Sequence, residues 1–271
     1  MIKEWLTTAA SSLPRSLQLQ IRERYWRTKS RLLYQSLYKF LDLEWTLRSG
    51  VTLQIASRGE WWIYNDIFVN REYDPPILRG LEGRTSLQPF TVLDLGANVG
   101  YFMLRVVDLS RQTNPGRHLD ITAVEASPKV FGMLEARMRS QNLPEVSLRM
   151  VQGLVGMRTG SALLHESSIH VKNTIMGDGN RHDQNVAFVD LGALMEDVKE
   201  IDLLKCDIEG AELLFLETYG NMLAKVRNAV FELHHEMCDT KKCRDILLKN
   251  GFRETVLRAT PTFSVVSVAR D

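Results

Sequence analysis

A chain of 271 residues, 44% hydrophobic and 25% charged, can bury one large α/β core or a core with a smaller appendage. Its formal charge of +1 gives no field to steer it toward nucleic acid or an acidic substrate, so neither is an expected partner. Cys206, Cys238 and Cys243 cannot all pair, which excludes the framework of a small secreted domain and favours a reducing compartment; a closed zinc site wants four ligands.

The opening stretch "MIKEWLTTAASSLPRSLQLQ" has no unbroken apolar run of signal-peptide type, and no segment approaches membrane-spanning length, so a cytoplasmic location is expected. Residues 1–50 hold nine Lys/Arg against four Asp/Glu, a local excess of +5. Within residues 16–47, Leu32, Leu33, Leu37, Phe40 and Leu41 recur at helical spacing, which predicts a basic amphipathic arm. Such a helix packs on its own domain, the simpler reading, or makes peripheral contact with a membrane surface through residues 1–50. An alternating aromatic stretch, "VTLQIASRGEWWIYNDIF", follows, and then "REYDPPILRGLEGRTSLQP", where Pro75-Pro76 and two glycines read as a connector. These features divide the chain into an arm and connector, residues 1–85, and a main domain, residues 86–271.

In the main domain short apolar runs alternate with helical segments. "FTVLDL", "LDITAVEA", "VSLRMVQ", "IDLLKCD" and "NAVFEL" are apolar on both faces, as strands covered by helices on either side must be. Helices are predicted from Tyr101 to Leu109, Pro128 to Arg139, Ala211 to Leu223 and Asp239 to Lys249. The alternation implies a mostly parallel, doubly wound α/β sheet, and "RETVLRA" and "TFSVVSVAR" read as closing strands, the last antiparallel. The loop "HESSIHVKNTIMGDGNRHDQN" has the length of a lid or a β-excursion with a tip at Gly177 to Gly179; His170 and His182 lie in it.

Ligands of such sheets sit beyond the carboxyl ends of the strands. The first turn, "VLDLGANVGYF", carries Asp94, Gly96, Asn98 and Gly100 at every second position. A dinucleotide fingerprint would need glycines at 96, 98 and 101, but 98 is Asn and 101 is Tyr. The pattern looks like the cofactor loop of class I S-adenosylmethionine-dependent methyltransferases. Glu125, ending the second strand, is positioned for ribose hydroxyls, or for the N-terminus of the helix that follows Ser127. Gln152 and Gly153, after the third strand, border the expected adenine.

Taken together, "DLGANVGYF", "AVEASPKVFGMLEARM", "LLKCDIEGAE" and "FELHHE" resemble the FkbM family of methyltransferases, with similarity running from about "IYNDIFVNREYDPP" to "LLKNGF". The resemblance implies a Rossmann-like class I methyltransferase fold with a seven-stranded sheet and helices on both faces, preceded here by an N-terminal helical extension. It also implies S-adenosyl-L-methionine as donor and O-methylation of a hydroxyl on a sugar, glycolipid or secondary metabolite, a small-molecule or glycan acceptor. Lys205, Asp207, Glu209, Gly210 and Glu212 fall on the family's Lys-x-Asp-x-Glu-Gly-x-Glu pattern, and Glu232 and His234 on its Glu-x-His. The stretch after Glu212, "LLFLETYGNMLAKV", departs from the expected small-residue ending.

Methyl transfer to oxygen needs alignment and removal of a proton. Asp207, which also borders the cofactor, is the first candidate for base or orienter and His234 the second; Glu232 shares a strand face with His234 and is expected to orient it, while His235 points to solvent. No metal is expected, the alternative being a hard divalent cation on Asp207, Glu209, Glu232 and His234. Two other functions stay open, a nicotinamide-dinucleotide-dependent oxidoreductase and a non-catalytic cofactor-binding adaptor with the same fold.

Overall fold

A computed structural model describes residues 43–83, 88–165 and 183–270. Most of the basic arm, His170, His182 and the glycine tip at 177–179 lie outside the described residues.

The described chain opens with a hairpin of β1 (Leu43–Thr46) and β2 (Thr52–Ile55). Helix had been expected through residue 47, but Leu43, Trp45 and Leu47 alternate half-buried with exposed neighbours, and pairing of Leu43 with Ile55 settles the period at two. Next come α1 (Arg58–Tyr64), capped by the Ser57 hydroxyl on the Glu60 N–H, a π-helical turn Asn65–Val69, and α2 (Asp74–Glu82). The Pro75-Pro76 pair, read as part of a connector, instead lies in the first turn of α2, where a missing N–H leaves no hydrogen bond unmade. Val51, Leu53, Ile55, Ile77 and Leu81 are buried and share one apolar cluster with Phe90, Val92 and Val106 of the main domain.

The strand and helix alternation then follows in order: β3 (Phe90–Leu95), α3 (Tyr101–Thr113), β4 (Leu119–Glu125), α4 (Pro128–Arg139) and β5 (Val146–Gln152). A hairpin of β6 (Ser161–His165) and β7 (Asp183–Ala187) brackets the long loop, and a short α5 (Leu191–Leu194) leads into β8 (Ile201–Cys206). The chain closes with α6 (Glu212–Tyr219), β9 (Val226–His234), α7 (Thr240–Lys249), β10 (Arg253–Ala259) and β11 (Phe263–Ala269). The helix expected to reach Leu223 ends at Tyr219, and Gly220–Lys225 continues as a 3-10 turn. Tyr219 is fixed there by its hydroxyl, which donates to the Val189 or Met157 carbonyl and accepts the Leu191 N–H.

Seven strands form the sheet in the order β10-β11-β9-β8-β3-β4-β5. Only β11 runs antiparallel to its neighbours, as "TFSVVSVAR" predicted. Successive residues feed opposite cores: Val92 and Leu203 enter one apolar cluster, Leu93 and Leu204 the other. This two-sided burial explains why the central strands read as unbroken apolar runs. Among the described residues no helix is long and apolar enough to cross a membrane.

Strand order reverses between β3 and β8, so the ligand crevice opens beyond their carboxyl ends. The parallel register sets Asp94 beside Lys205 and Leu95 beside Cys206. At Gly96 the loop leaves β3 with φ +77° and passes so close to β8 that a β-carbon would lie 1.7 Å from the Asp207 carbonyl oxygen. Backbone cannot yield there as a side chain would. Gly96→Ala should therefore lower stability by more than about 2 kcal/mol in chemical denaturation. Gly132→Ala, in mid-helix α4 with nothing within 4 Å of the added carbon, should raise it by about 0.5–1 kcal/mol. Equal effects from the two substitutions would refute the close approach.

Candidate active site

The loop from β3 to α3 turns through left-handed residues at Gly96, Asn98 (φ +50°) and Gly100 (φ +91°), the last immediately preceding α3. Asn98 tolerates this conformation because its short side chain bonds locally, its Oδ1 accepting the Val99 N–H at 2.8 Å. Glu125 links this loop to the next one. Its two carboxylate oxygens accept the Asn98 N–H at 2.9 Å and the Ser127 N–H at 2.8 Å. The Ser127 bond is the helix N-terminus role foreseen for Glu125, and each oxygen keeps a lone pair for a further donor. Burial raises its pKa, and the two N–H bonds oppose that.

Under the loop lies a buried ammonium. Lys205 Nζ donates to the Gly96 carbonyl at 2.9 Å and sits 3.5 Å from both Asp94 and Asp207. Burial pulls its pKa down, but the Asp94 and Asp207 charges outweigh that and raise it, so Lys205 stays charged and is no base. Asp94 is wholly buried and faces Lys205. It does not line the cavity, so its influence on a ligand runs through Lys205 and the loop.

The cavity has two lobes. The first is small and is walled by Val124, Glu125, Ala126, Gly153, Leu154 and Val155; Gln152 is not part of it, its exposed amide donating to the Ala126 carbonyl. The second, of about 420 Å³, is walled by Trp62, Asp66, Glu72, Tyr73, Glu232, Arg258 and Phe263. Gly96, Asn98, Asp207 and Glu209 line both lobes, which puts Asp207 at their junction. Six of these wall residues, Trp62, Asp66, Glu72, Tyr73, Arg258 and Phe263, went unremarked in the sequence. The available signal, that "IYNDIFVNREYDPP" already fell within the region of family resemblance, covered only Asp66, Glu72 and Tyr73.

Behind the Glu209 and Glu232 wall of the second lobe lies an imidazole among carboxylates, His234, which does not itself line the cavity. His234 Nδ1 lies 2.9 Å from Glu212 Oε1, and its Nε2 lies 3.2 Å from Glu209 and 3.7 Å from Glu232. Glu232, expected to orient the ring, is thus the most distant of the three, and the orienting role falls to fully buried Glu212, which also accepts the Gly210 N–H. Burial lowers the His234 pKa, but the hydrogen bond and charge of Glu212 outweigh it, with help from Asp207 and Glu209, and carry it up to about 10. Glu232 is pushed up to about 9, first by burial and then by the Asp207 charge, against the pull of His234. Ligand atoms of Asp207, Glu232 and His234 lie within 4.8 Å of one another, close enough to meet on one metal ion. His235 is exposed, as expected, with its ring beside Ser264 and the Pro261 carbonyl.

A family model for the methyltransferase FkbM domain matches residues 94–254, more than half of the chain. The chain belongs to the FkbM methyltransferase family. Its methyl donor is S-adenosyl-L-methionine. No curated protein matches the sequence. Among solved structures, this FkbM methyltransferase is similar to a precorrin-6y C5,15-methyltransferase from Geobacter metallireducens GS-15, at 10% identity over 72% of this chain and 87% of that one, with a TM-score of 0.43. It is also similar to Aeropyrum pernix fibrillarin in complex with S-adenosyl-L-methionine, at 12% identity over 73% and 74% of the two chains, with a TM-score of 0.41.

The first lobe of this FkbM methyltransferase has the donor set a nucleoside needs, apolar walls at Leu154 and Val155 and a carboxylate at Glu125 with lone pairs to spare. The acid wall makes stability depend on pH. Between the ordinary value of 4.5 and about 9 for Glu232, and between 6.5 and about 10 for His234, the folded protein holds protons that the unfolded chain has released. Stability must fall as pH rises through those windows. With chelator present, the melting temperature should drop from about pH 6 to about pH 9.5, and Glu232→Gln should flatten the decline. A wild-type midpoint that rises over that range would contradict the assignment.

Proposed function

We propose that this methyltransferase transfers the methyl group of S-adenosyl-L-methionine to a hydroxyl of a polyol-like acceptor, a sugar, glycolipid or secondary metabolite, in the cytoplasm. The composition of the second lobe supports this reading. Hydrogen-bond acceptors on Asp66, Glu72 and Glu232 alternate with donors on Asn65 and Arg258, and the flat faces of half-exposed Trp62 and of Phe263 complete the wall. A ring carrying several hydroxyls both donates and accepts, and its C–H faces pack against aromatics.

The first lobe takes the adenosine, with Glu125 on the ribose, and Asp207 stands where donor and acceptor meet. The acceptor oxygen forms a bond to the methyl carbon as the carbon–sulfur bond breaks, its electron pair passing to sulfur and leaving S-adenosylhomocysteine. The hydroxyl proton goes to the Asp207 carboxylate, which Lys205 holds from behind. Glu232 fixes the acceptor on the facing wall, with His234 behind it.

Calorimetry with S-adenosylhomocysteine tests the donor half, and transfer of labelled methyl from S-adenosylmethionine to a panel of hydroxylated compounds tests the acceptor half. Asp207→Asn should cut turnover by about 10²- to 10⁴-fold with little effect on S-adenosylhomocysteine affinity. Glu125→Gln should do the reverse, weakening that affinity about 10-fold. Label appearing only on amines would sink the oxygen assignment, and a folded protein with no affinity for S-adenosylhomocysteine would sink the donor site.

A further inference from the structure

Charges around the second lobe are balanced on two sides and not on the third. Arg258 lies 3.0 Å from Asp66 and 3.3 Å from Glu72. Lys205 serves Asp94 and Asp207. On the remaining side Glu209 and Glu232 line the lobe, and with Glu212 behind them they gather around the single ring of His234. That wall is also where donors of two chemical kinds converge, one oxygen each from Asp207 and Glu232 and one nitrogen from His234, within 4.8 Å of one another. Ions bound at about 2.1–2.4 Å hold opposed donors about 4.2–4.8 Å apart, so the three atoms have the spread of ligands on one centre.

The imidazole is set up for that role by a residue outside the trio. Glu212 is fully buried and its Oε1, already fixed by the Gly210 N–H, faces His234 Nδ1 at 2.9 Å. A carboxylate there holds the hydrogen on Nδ1 and leaves Nε2 facing Glu209 and Glu232, the arrangement that metal-ligating histidines use to fix tautomer and ring orientation. The trio is supplied by two adjacent strand ends, β8 and β9, which the sheet holds rigidly. Asp207 and Glu232 both face the 420 Å³ lobe, where the other coordination positions are open to an acceptor.

We propose that Asp207, Glu232 and His234 bind a divalent cation of the Mn²⁺ class inside the acceptor lobe, where it takes neighbouring hydroxyls of the acceptor. The inference rests on the reading of this lobe as the acceptor site. Two carboxylates and an imidazole suit an octahedral first-row ion better than Ca²⁺, which wants more oxygens, or structural Zn²⁺, which wants a closed set of four. Glu209 now stands 3.2 Å from Nε2 and must yield that face to the ion. The ion supplies a Lewis acid that makes a bound hydroxyl a better nucleophile near neutral pH.

The test is a titration of Mn²⁺ into chelator-stripped full-length protein, with free Mn²⁺ followed by electron paramagnetic resonance and S-adenosylhomocysteine binding measured in parallel. One ion per chain is expected, with affinity weakened at least 10-fold by Glu232→Gln and by His234→Asn. Glu212→Gln should cost about 10- to 100-fold, through ring orientation alone. Glu232→Gln keeps the size and polarity of the protonated carboxyl and should melt no lower than wild type near neutral pH, so its loss of Mn²⁺ cannot be laid to unfolding. Protein that binds S-adenosylhomocysteine but no Mn²⁺ up to about 1 mM overturns the metal site and leaves the donor reading intact. Binding that Glu232→Gln and His234→Asn leave unchanged also overturns it. Mn²⁺ bound at these residues without affinity for S-adenosylhomocysteine supports the ion site and removes the donor reading instead.

Discussion

The ammonium of Lys205 joins the two halves of the sheet at the point where the crevice opens. Burying a lone charge of this kind costs several kcal/mol, and the cost is offset only where opposite charges and a carbonyl receive it together. Here the Gly96 carbonyl belongs to the loop after β3, Asp94 to β3 itself and Asp207 to the end of β8, so one side chain ties the cofactor loop to both central strands. An apolar residue of similar length would leave the fully buried Asp94 carboxylate, which has no hydrogen-bond donor, without a counter-charge. The dependence also runs the other way. Gly96 must lack a side chain because the Asp207 carbonyl is pressed against it, and that same contact holds Asp207 at the junction of the two lobes.

The rest of the site distributes negative charge around this fixed point. The donor brings a positive sulfonium, which a cavity rich in carboxylates accommodates without a dedicated partner. The arrangement exceeds what one positive sulfur requires, however, and His234 shows the excess most clearly, since it has carboxylates at both ring nitrogens. Such a ring is either a permanently charged spacer between acids or a ligand awaiting an ion that displaces one of them. The fixed partner at Nδ1 and the looser, half-exposed one at Nε2 favour the second description, because only the latter can be exchanged without disturbing the buried framework.

Much of this was legible in the linear chain, for a physical reason. A central parallel strand buried on both faces has almost no freedom in composition, so "FTVLDL" announced β3 to the residue. Edge strand β5 is not buried on both faces as expected, and "VSLRMVQ" matched it through the alternation of half-buried and exposed residues. Residues at strand ends were legible too, because chemistry in this architecture collects there: Gly96, Asn98, Glu125 and Asp207 all reach the cavity. Illegible were the relations between distant residues. Nothing in the spacing of Glu212 and His234 says that the buried acid of a helix would hold the ring at the end of a strand, a role assigned by sequence to Glu232 through simple strand periodicity. The β1 error has a similar origin, since Leu43 and Leu47 satisfy helical as well as alternate spacing and only the partner strand decides between them.

The segment before the main domain was read as connector because its prolines and glycines are turn residues in isolation. Its apolar residues join the core of the sheet, while Trp62, Asp66, Glu72 and Tyr73 line the second lobe. Arg137 secures this segment from below, reaching the Val99 carbonyl of the cofactor loop, the Gln54 carbonyl of β2 and the Glu60 carboxylate of α1. The first lobe is thus built by strand ends, and much of the wall of the second by the segment that precedes the sheet. Changes in residues 62–73 reshape the second lobe while leaving the Lys205 junction in place. The strand ends are fixed by the sheet and the segment before it is not, which is why a motif drawn from strand ends names the reaction more readily than the acceptor.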